Sequence, residues 1–143
     1  MQFTEDQKKV IETRNKNILV SAAAGSGKTA VLVQRILSRI TGKDPIDIDR
    51  LLIVTFTSAA AAEMRERIHA ALLQAQTEHP EDENLQRQAA LIHNAQITTI
   101  DSYCMFLLRN HFHEIDLDPS FRIGDPGEIR VLEKDVMLSV LEE

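Results

Sequence analysis

At 143 residues and 43% hydrophobic content the chain has the length of one domain and enough apolar material for a real core, and it has no apolar run long enough to span a bilayer. With 16 basic against 22 acidic residues the net charge is −6, which excludes coating of nucleic acid by bulk electrostatics and restricts any such contact to a local groove. The first ten residues carry acids and lack the apolar centre of a secretory signal, and Cys104, the one cysteine, has no internal disulfide partner, so the expected setting is a reducing cytoplasm without a membrane.

Thr4 opens the first helix signal: its side chain can cap the first turn, Glu5 and Asp6 suit a helix N-terminus, and Val10 and Ile11 supply an inward face, with an end predicted near Asn15. The apolar run 17–21 predicts a strand. It feeds directly into Ala22, Ala23, Ala24, Gly25, Ser26, Gly27, Lys28 and Thr29, and then into a helical pattern of Val31, Leu32, Ile36, Leu37 and Ile40 that stops at Thr41 and Gly42.

Strand, small-residue loop and helix together are the context of a phosphate-binding P-loop. Small residues let backbone N–H groups curl around phosphate oxygens while the following helix points its positive end at the same anion. Lys28 is predicted to reach the β- and γ-phosphates, and the Thr29 hydroxyl to ligate Mg²⁺, a hard cation that prefers oxygen donors. The usual pattern begins with Gly where Ala22 stands, which is compatible with the loop if φ there is negative. The implied ligands are a nucleoside triphosphate and Mg²⁺.

Residues 43–49, with Pro45, form a connection, and 51–55 read as a second strand, buried on both faces and parallel to the first. Ser58 is the predicted cap of a long helix in which Ala59 to Ala62, Met64, Ile68, Leu72 and Leu73 form one face. Arg65 and Arg67 read as its solvated side. A polar break at 77–84 precedes a shorter helix, a third strand at 97–100, a helical pattern at 102–112, a turn-rich stretch at 118–127 and a final helix from Glu128. Alternating strands and helices predict an α/β parallel sheet flanked by helices, with the P-loop and the loops after the second and third strands on one rim.

The residues on that rim resemble a known family, the helicases of superfamily 1 of the UvrD and RecB kind, and within it the A subunits of AddAB-type helicase-nucleases. Residues 3–7, Phe-Thr-Glu-Asp-Gln, are similar to the Q motif, 22–29 to motif I, 55–68 to motif Ia, and 97–104 to the DNA-touching block that follows. The resemblance implies a P-loop NTPase (RecA-like) fold, with 1–125 as the amino-terminal part of the ATP-binding domain and 126–143 as the start of a helical insertion. It implies that Gln7 reads adenine and that Phe56, Thr57, Ser58, Thr99, Ser102 and Tyr103 meet single-stranded DNA, Phe56 by base stacking. Two positions depart from common forms of the pattern: Ser58-Ala59 stand where many members have Asn-Lys, and Asp101 where many have His.

By resemblance the chain is expected to be the amino-terminal piece of an ATP-dependent DNA helicase (an ATP hydrolase) of double-strand-break repair and recombination, paired with a second helicase-nuclease chain of the AddB kind. The carboxylate on Mg²⁺, the water-positioning residue and the arginines of phosphoryl transfer are not evident here, so the chain alone is expected to bind nucleotide weakly and turn it over negligibly. No Glu follows Asp101, which is therefore not assigned to Mg²⁺. Without the resemblance, a small phosphotransferase of the nucleotide-kinase class and an ATP-binding module without hydrolysis remain alternatives, and Phe56 and Tyr103 could be packing residues.

Overall fold

Thr4 starts the first helix, α1 (Glu5–Glu12), through a reciprocal capping box: its Oγ1 accepts from the Gln7 N–H at 3.3 Å and its own N–H donates to Gln7 Oε1 at 2.9 Å. In this computed structural model, which describes residues 2–142, α1 closes at Thr13, earlier than the predicted end, and Asn15 at φ 55° turns the chain away. The exposed end of α1 is held by two arginines from different elements. Arg14 donates to Ile11 O at 2.5 Å and to Ser38 Oγ at 2.6 Å, while Arg35 donates to Val10 O and to Thr13 O, the latter at 2.8 Å. Burial, and then the neighbouring cations Arg14 and Arg39, lower the Arg35 pKa from its ordinary value.

Helix α2 (Lys28–Ile40) buries Val31, Ile36 and Ile40, the face its periodicity predicts, and ends at Thr41. Gly42 follows because a Cβ there would stand 2.5 Å from Ser38 O. A 3₁₀ turn (Ile48–Arg50) leads into β1 (Leu52–Thr55), which pairs in parallel with β2 (Gln96–Thr99), Ile53 opposite Ile97 and Thr55 opposite Thr99. Between the strands run α3 (Ser58–Glu78) and α4 (Glu83–Leu91), the long crossover a parallel pair requires. The architecture is thus a helix-rich α/β fold on a two-stranded parallel sheet.

Three expectations about the strands and the start of α3 need correction. Residues 17–21 form no strand: Leu19 is 98% exposed, and among the described residues no neighbour supplies a ladder, without which an apolar run has nowhere to place its backbone groups. The run at 51–55 is covered on one face only, Ile53 being buried while Leu52 and Val54 stay half exposed, and it lies beside β2 rather than beside 17–21. Helix α3 is capped by Thr57, whose Oγ1 accepts from the Ala60 N–H at 3.1 Å, so Ser58 is its first residue; of its four alanines only Ala61 is buried.

The core lies between the covered face of the sheet and α2, α3 and α4. Met64, Ile68 and Leu72 recur along α3 at helical spacing and meet Ile40, Ile53 and Ile97, each large side chain contributing about 1.5–3 kcal/mol by burial. Polar ties lock this packing. Gln88 on α4, fully buried, accepts from the Ile48 N–H at 2.9 Å and donates to Asp47 Oδ1 at 2.9 Å and Asn84 Oδ1 at 3.1 Å. Arg65 does not lie in solvent as predicted: it donates to the carbonyls of Ile92, Ala95 and Ile97 at 2.9, 3.3 and 3.1 Å, fastening α3 to the approach of β2. Arg67 does lie on the solvated side, paired with Glu63 at 2.6 Å.

The chain divides into two compact units, the first reaching Cys104 and the second starting at Met105, so that α5 (Ile100–His111) runs from one into the other. In the second unit a 3₁₀ turn (Phe112–Ile115) precedes α6 (Pro126–Glu142). Helix α6 starts two residues before the predicted position. Its first residue is a proline, whose missing N–H costs nothing there, and Asp125 and Glu128 form a second capping box that includes Gly127 N–H to Asp125 Oδ1 at 2.8 Å. Among the described residues no helix is long and apolar enough to cross a membrane.

Candidate nucleotide site and adjoining rim

The loop 22–29 joins the unpaired segment 17–21 to α2, and its shape follows from its two glycines. Gly25 has φ 75° and Gly27 φ 79°, both in the left-handed region, and Gly27 serves as the N-cap of α2 without any side-chain acceptor. Ala22 does not have a positive φ, so alanine fits where the usual pattern has glycine. Ala22, Ala23, Ala24, Ser26 and Lys28 are all exposed, and Ser26 N–H donates to Ala23 O at 3.3 Å to close a turn.

The first intrahelical bond of α2 is Val31 N–H to Gly27 O, which leaves the N–H groups of Lys28, Thr29 and Ala30 without intrahelical acceptors. The first turn carries no acidic residue. Positive partial charge is therefore concentrated at this end with no carboxylate to offset it, which suits an anion. The Lys28 ammonium folds over the loop and donates to Ala22 O at 2.9 Å and Ala23 O at 2.7 Å. Those bonds hold a cation against the loop from which a phosphate oxygen could draw it.

Gln7 reaches the same loop from α1, 19 residues earlier, its Nε2 donating to Ser26 O at 3.1 Å. A Cβ placed on Gly27 would stand 3.7 Å from that nitrogen. The amide thus sits at the mouth of the loop.

Thr29 is half-buried and lines a cavity of about 310 Å³ together with Thr55, Phe56, Thr57, Ala60, Glu63 and Met64. The residue at the end of the loop and the exit of β1 therefore share one space. The β2 exit is its neighbour, because Thr55 pairs with Thr99 in register. Glu63 has no place among the sequence-derived site residues: it brings a carboxylate to the cavity that Thr29 lines, although it is bonded to Arg67. Its separation of 34 positions from Thr29, across a crossover, leaves no local signal for that meeting.

On the rim, Phe56 is 92% exposed and not packed under the sheet. Thr57 Oγ1 is occupied as acceptor by the α3 cap and keeps its O–H to donate. Thr99 Oγ1 accepts from the Ser102 N–H at 3.1 Å and donates to Ser102 Oγ at 2.9 Å, so the remaining donor of that pair is the Ser102 O–H. Ser58 and Ser102 are exposed and Tyr103 is half-buried.

The donor set suits a triphosphate with Mg²⁺ in a defined way. Among the described residues no group of three His, Cys, Asp or Glu could hold a metal, and the Thr29 hydroxyl is a neutral oxygen of the kind a hard cation accepts beside phosphate oxygens and water.

The profile of the UvrD/REP helicase N-terminal domain matches residues 3–142. Over 142 residues, 99% of this chain, the sequence is 61% identical to the A subunit of an ATP-dependent helicase/nuclease from Lachnoclostridium phytofermentans, of which it covers 10%. Proteins with the same name from Clostridium perfringens strain ATCC 13124 and Clostridioides difficile strain 630 are 54% and 53% identical over 99% of the chain, with 11% of each covered. The chain spans about a tenth of the length of these curated relatives.

Proposed function

The chain belongs to the UvrD/REP helicase N-terminal domain family, and from that premise we propose that it is the nucleotide-binding part of the A subunit of an ATP-dependent DNA helicase/nuclease, acting in double-strand-break repair and recombination. The loop 22–29 cradles the triphosphate of ATP with its backbone N–H groups and the α2 N-terminus. Lys28 exchanges its two carbonyl bonds for β- and γ-phosphate oxygens, Thr29 ligates Mg²⁺, and Gln7 meets the base. When bound, Mg²⁺ would supply neutralisation of the charge on the phosphates. In this reading the fold is that of a P-loop NTPase (RecA-like), in which 17–21 becomes a strand once neighbouring strands supply both its edges, and 126–143 begins a helical insertion after the domain part at 1–125.

Single-stranded DNA crosses the rim, with Phe56 stacking on a base, the Thr57, Ser58 and Ser102 hydroxyls toward the backbone, and Thr99 and Tyr103 along the same path. The setting is cytoplasmic, and the partner is a second helicase-nuclease chain of the AddB kind.

The observation that carries this reading is the cavity shared by Thr29 with Thr55, Phe56 and Thr57, since a metal held at Thr29 would then lie beside the β1 exit that this reading gives to DNA. Titration of the chain with a fluorescent ATP analogue and Mg²⁺ tests it. Saturable binding is expected, with Lys28→Ala weakening it at least about tenfold, the worth of a charge-assisted bond to phosphate; equal binding by Lys28→Ala would remove the loop from the site.

A further inference from the structure

The stretch from Thr13 to Lys43 holds six of the chain's 16 basic residues, Arg14, Lys16, Lys28, Arg35, Arg39 and Lys43, and none of its 22 acids. On a chain of net charge −6 this is a local reversal of sign. Folding gathers three of these cations. Arg14 beyond the end of α1, Arg39 in the last turn of α2 and Lys43 after that helix line one cavity of about 340 Å³. Asn15, Ser38 and Gly42 complete its wall, and the Asp44 carboxylate is the one acid that lines it.

The fold accounts for part of this charge. Arg14 ties the end of α1 to Ser38, and a cation in the last turn of α2 offsets the negative end of the helix dipole. Crowding is the remainder to explain. Arg14 and Arg39 both stand close enough to Arg35 to lower its pKa, and like charges held together cost stability. Among the described residues neither the Arg39 guanidinium nor the Lys43 ammonium has a hydrogen-bonding or ion-pair partner. Both are left for an anion from outside.

The lining selects the kind of anion. It has no apolar side chain to receive the hydrophobic residues of a peptide, and it offers guanidinium, ammonium, amide and hydroxyl donors, the set that meets phosphate oxygens. The place is distinct from the rim. Arg39 follows Thr29 on α2 by ten residues, about 15 Å of helix. An adjoining cavity lined by Arg14 and Arg39 reaches Leu51 and Leu52, where β1 begins, whereas Thr55 and Phe56 lie where it ends.

We propose that this cluster is a second nucleic-acid contact, at which Arg39 and Lys43 hold the phosphodiester backbone of DNA without regard to base sequence. The contact needs neither Phe56 nor bound nucleotide.

The experiment follows the anisotropy of a labelled oligo-dT, and of a duplex of equal length, titrated with the full chain at about 50 to 200 mM salt. Replacing both cations, Arg39→Gln with Lys43→Gln, should lower the slope of log affinity against log salt by about 1.4 on the single strand or about 1.8 on the duplex, the worth of two phosphates. Whichever form shows the drop is the form the cluster holds. Asp44→Asn removes the opposing carboxylate and should tighten binding about two- to fourfold at low salt, the worth of one solvated charge pair. Thermal unfolding of both variants should match wild type, since neither cation bonds within the fold.

Phe56→Ala separates the two contacts: loss of its stacking weakens the single strand at unchanged slope, and its failure to do so would remove the rim path while leaving the cluster standing. An unchanged slope on both DNA forms in the double variant overturns the proposal, as does a wild-type chain that binds neither form at the lowest salt. If the double variant keeps both DNA forms and loses a labelled polyglutamate chain, the cluster docks an acidic polypeptide and the nucleic-acid contact is overturned.

Discussion

Replacing Gln88 by leucine removes the polar tie at the centre of the core. The side chain is fully buried, and leucine of similar size leaves three groups stranded: the Ile48 N–H, which loses its acceptor, and the Asp47 and Asn84 oxygens, which lose a donor. Ile48 is itself fully buried, so its N–H has no water to turn to and costs about 1–3 kcal/mol. Asp47 keeps Arg87 and is partly solvated, so its share is smaller. With about 1 kcal/mol for each of the two oxygens and about 1 kcal/mol returned by the apolar burial of leucine, the net loss comes to roughly 2–4 kcal/mol. Urea unfolding followed by far-UV circular dichroism should show a midpoint lowered by about 1–2 M at unchanged slope, and hydrogen exchange should accelerate at the Ile48 amide. Gln88→Glu, which sets a second carboxylate beside Asp47 and cannot donate when ionised, should be worse than leucine at neutral pH and recover on acidification. A loss below about 0.5 kcal/mol for Gln88→Leu, with Ile48 exchange unchanged, would refute the reasoning.

Arg65→Met keeps the aliphatic stem and removes the donors to three carbonyls, so thermal unfolding should report a loss of about 1–3 kcal/mol; Arg67→Met, whose partner is solvated, should cost under about 0.5 kcal/mol. Phe56→Ala should weaken oligo-dT binding by about 1–3 kcal/mol in an anisotropy titration with the circular dichroism unchanged, because a 92% exposed ring supports no core; equal affinity would take Phe56 off the DNA path. Arg122, bonded to both Glu128 oxygens, and then the Asp125 N–H lower the Glu128 pKa, so the ionised carboxylate favours the α6 start. That support is fully present above the ordinary carboxylate range of about 4.3 and is lost as pH falls through the lowered folded value. Side-chain carboxyl chemical shifts should place the Glu128 titration below that range and Arg122→Ala should move it back up.

The sequence by itself determined what is local. The Thr4 cap, the left-handed glycines of the loop, the buried stripe of α2 and the long α3 are all set by residues within a few positions of one another, so spacing and side-chain chemistry suffice to read them. The motif blocks also carried the family, which the matching profile bears out. Tertiary structure decided whatever needs a distant partner. Residues 17–21 have strand composition, yet a strand exists only where a neighbour completes its hydrogen bonds, and here the ladder formed between β1 and β2 instead. Arg65 and Gln88 look like surface residues in the chain and become structural ones because carbonyls and a buried N–H, 27 to 40 positions away, are brought to them. The same holds at the site. The loop motif pointed to Thr29 and the resemblance to Gln7, while only the folded chain set the Gln7 amide between Thr4 and Ser26 and opened Thr29 onto the exit of β1, because those contacts are made by packing α1, α2 and α3 together and not by any one segment.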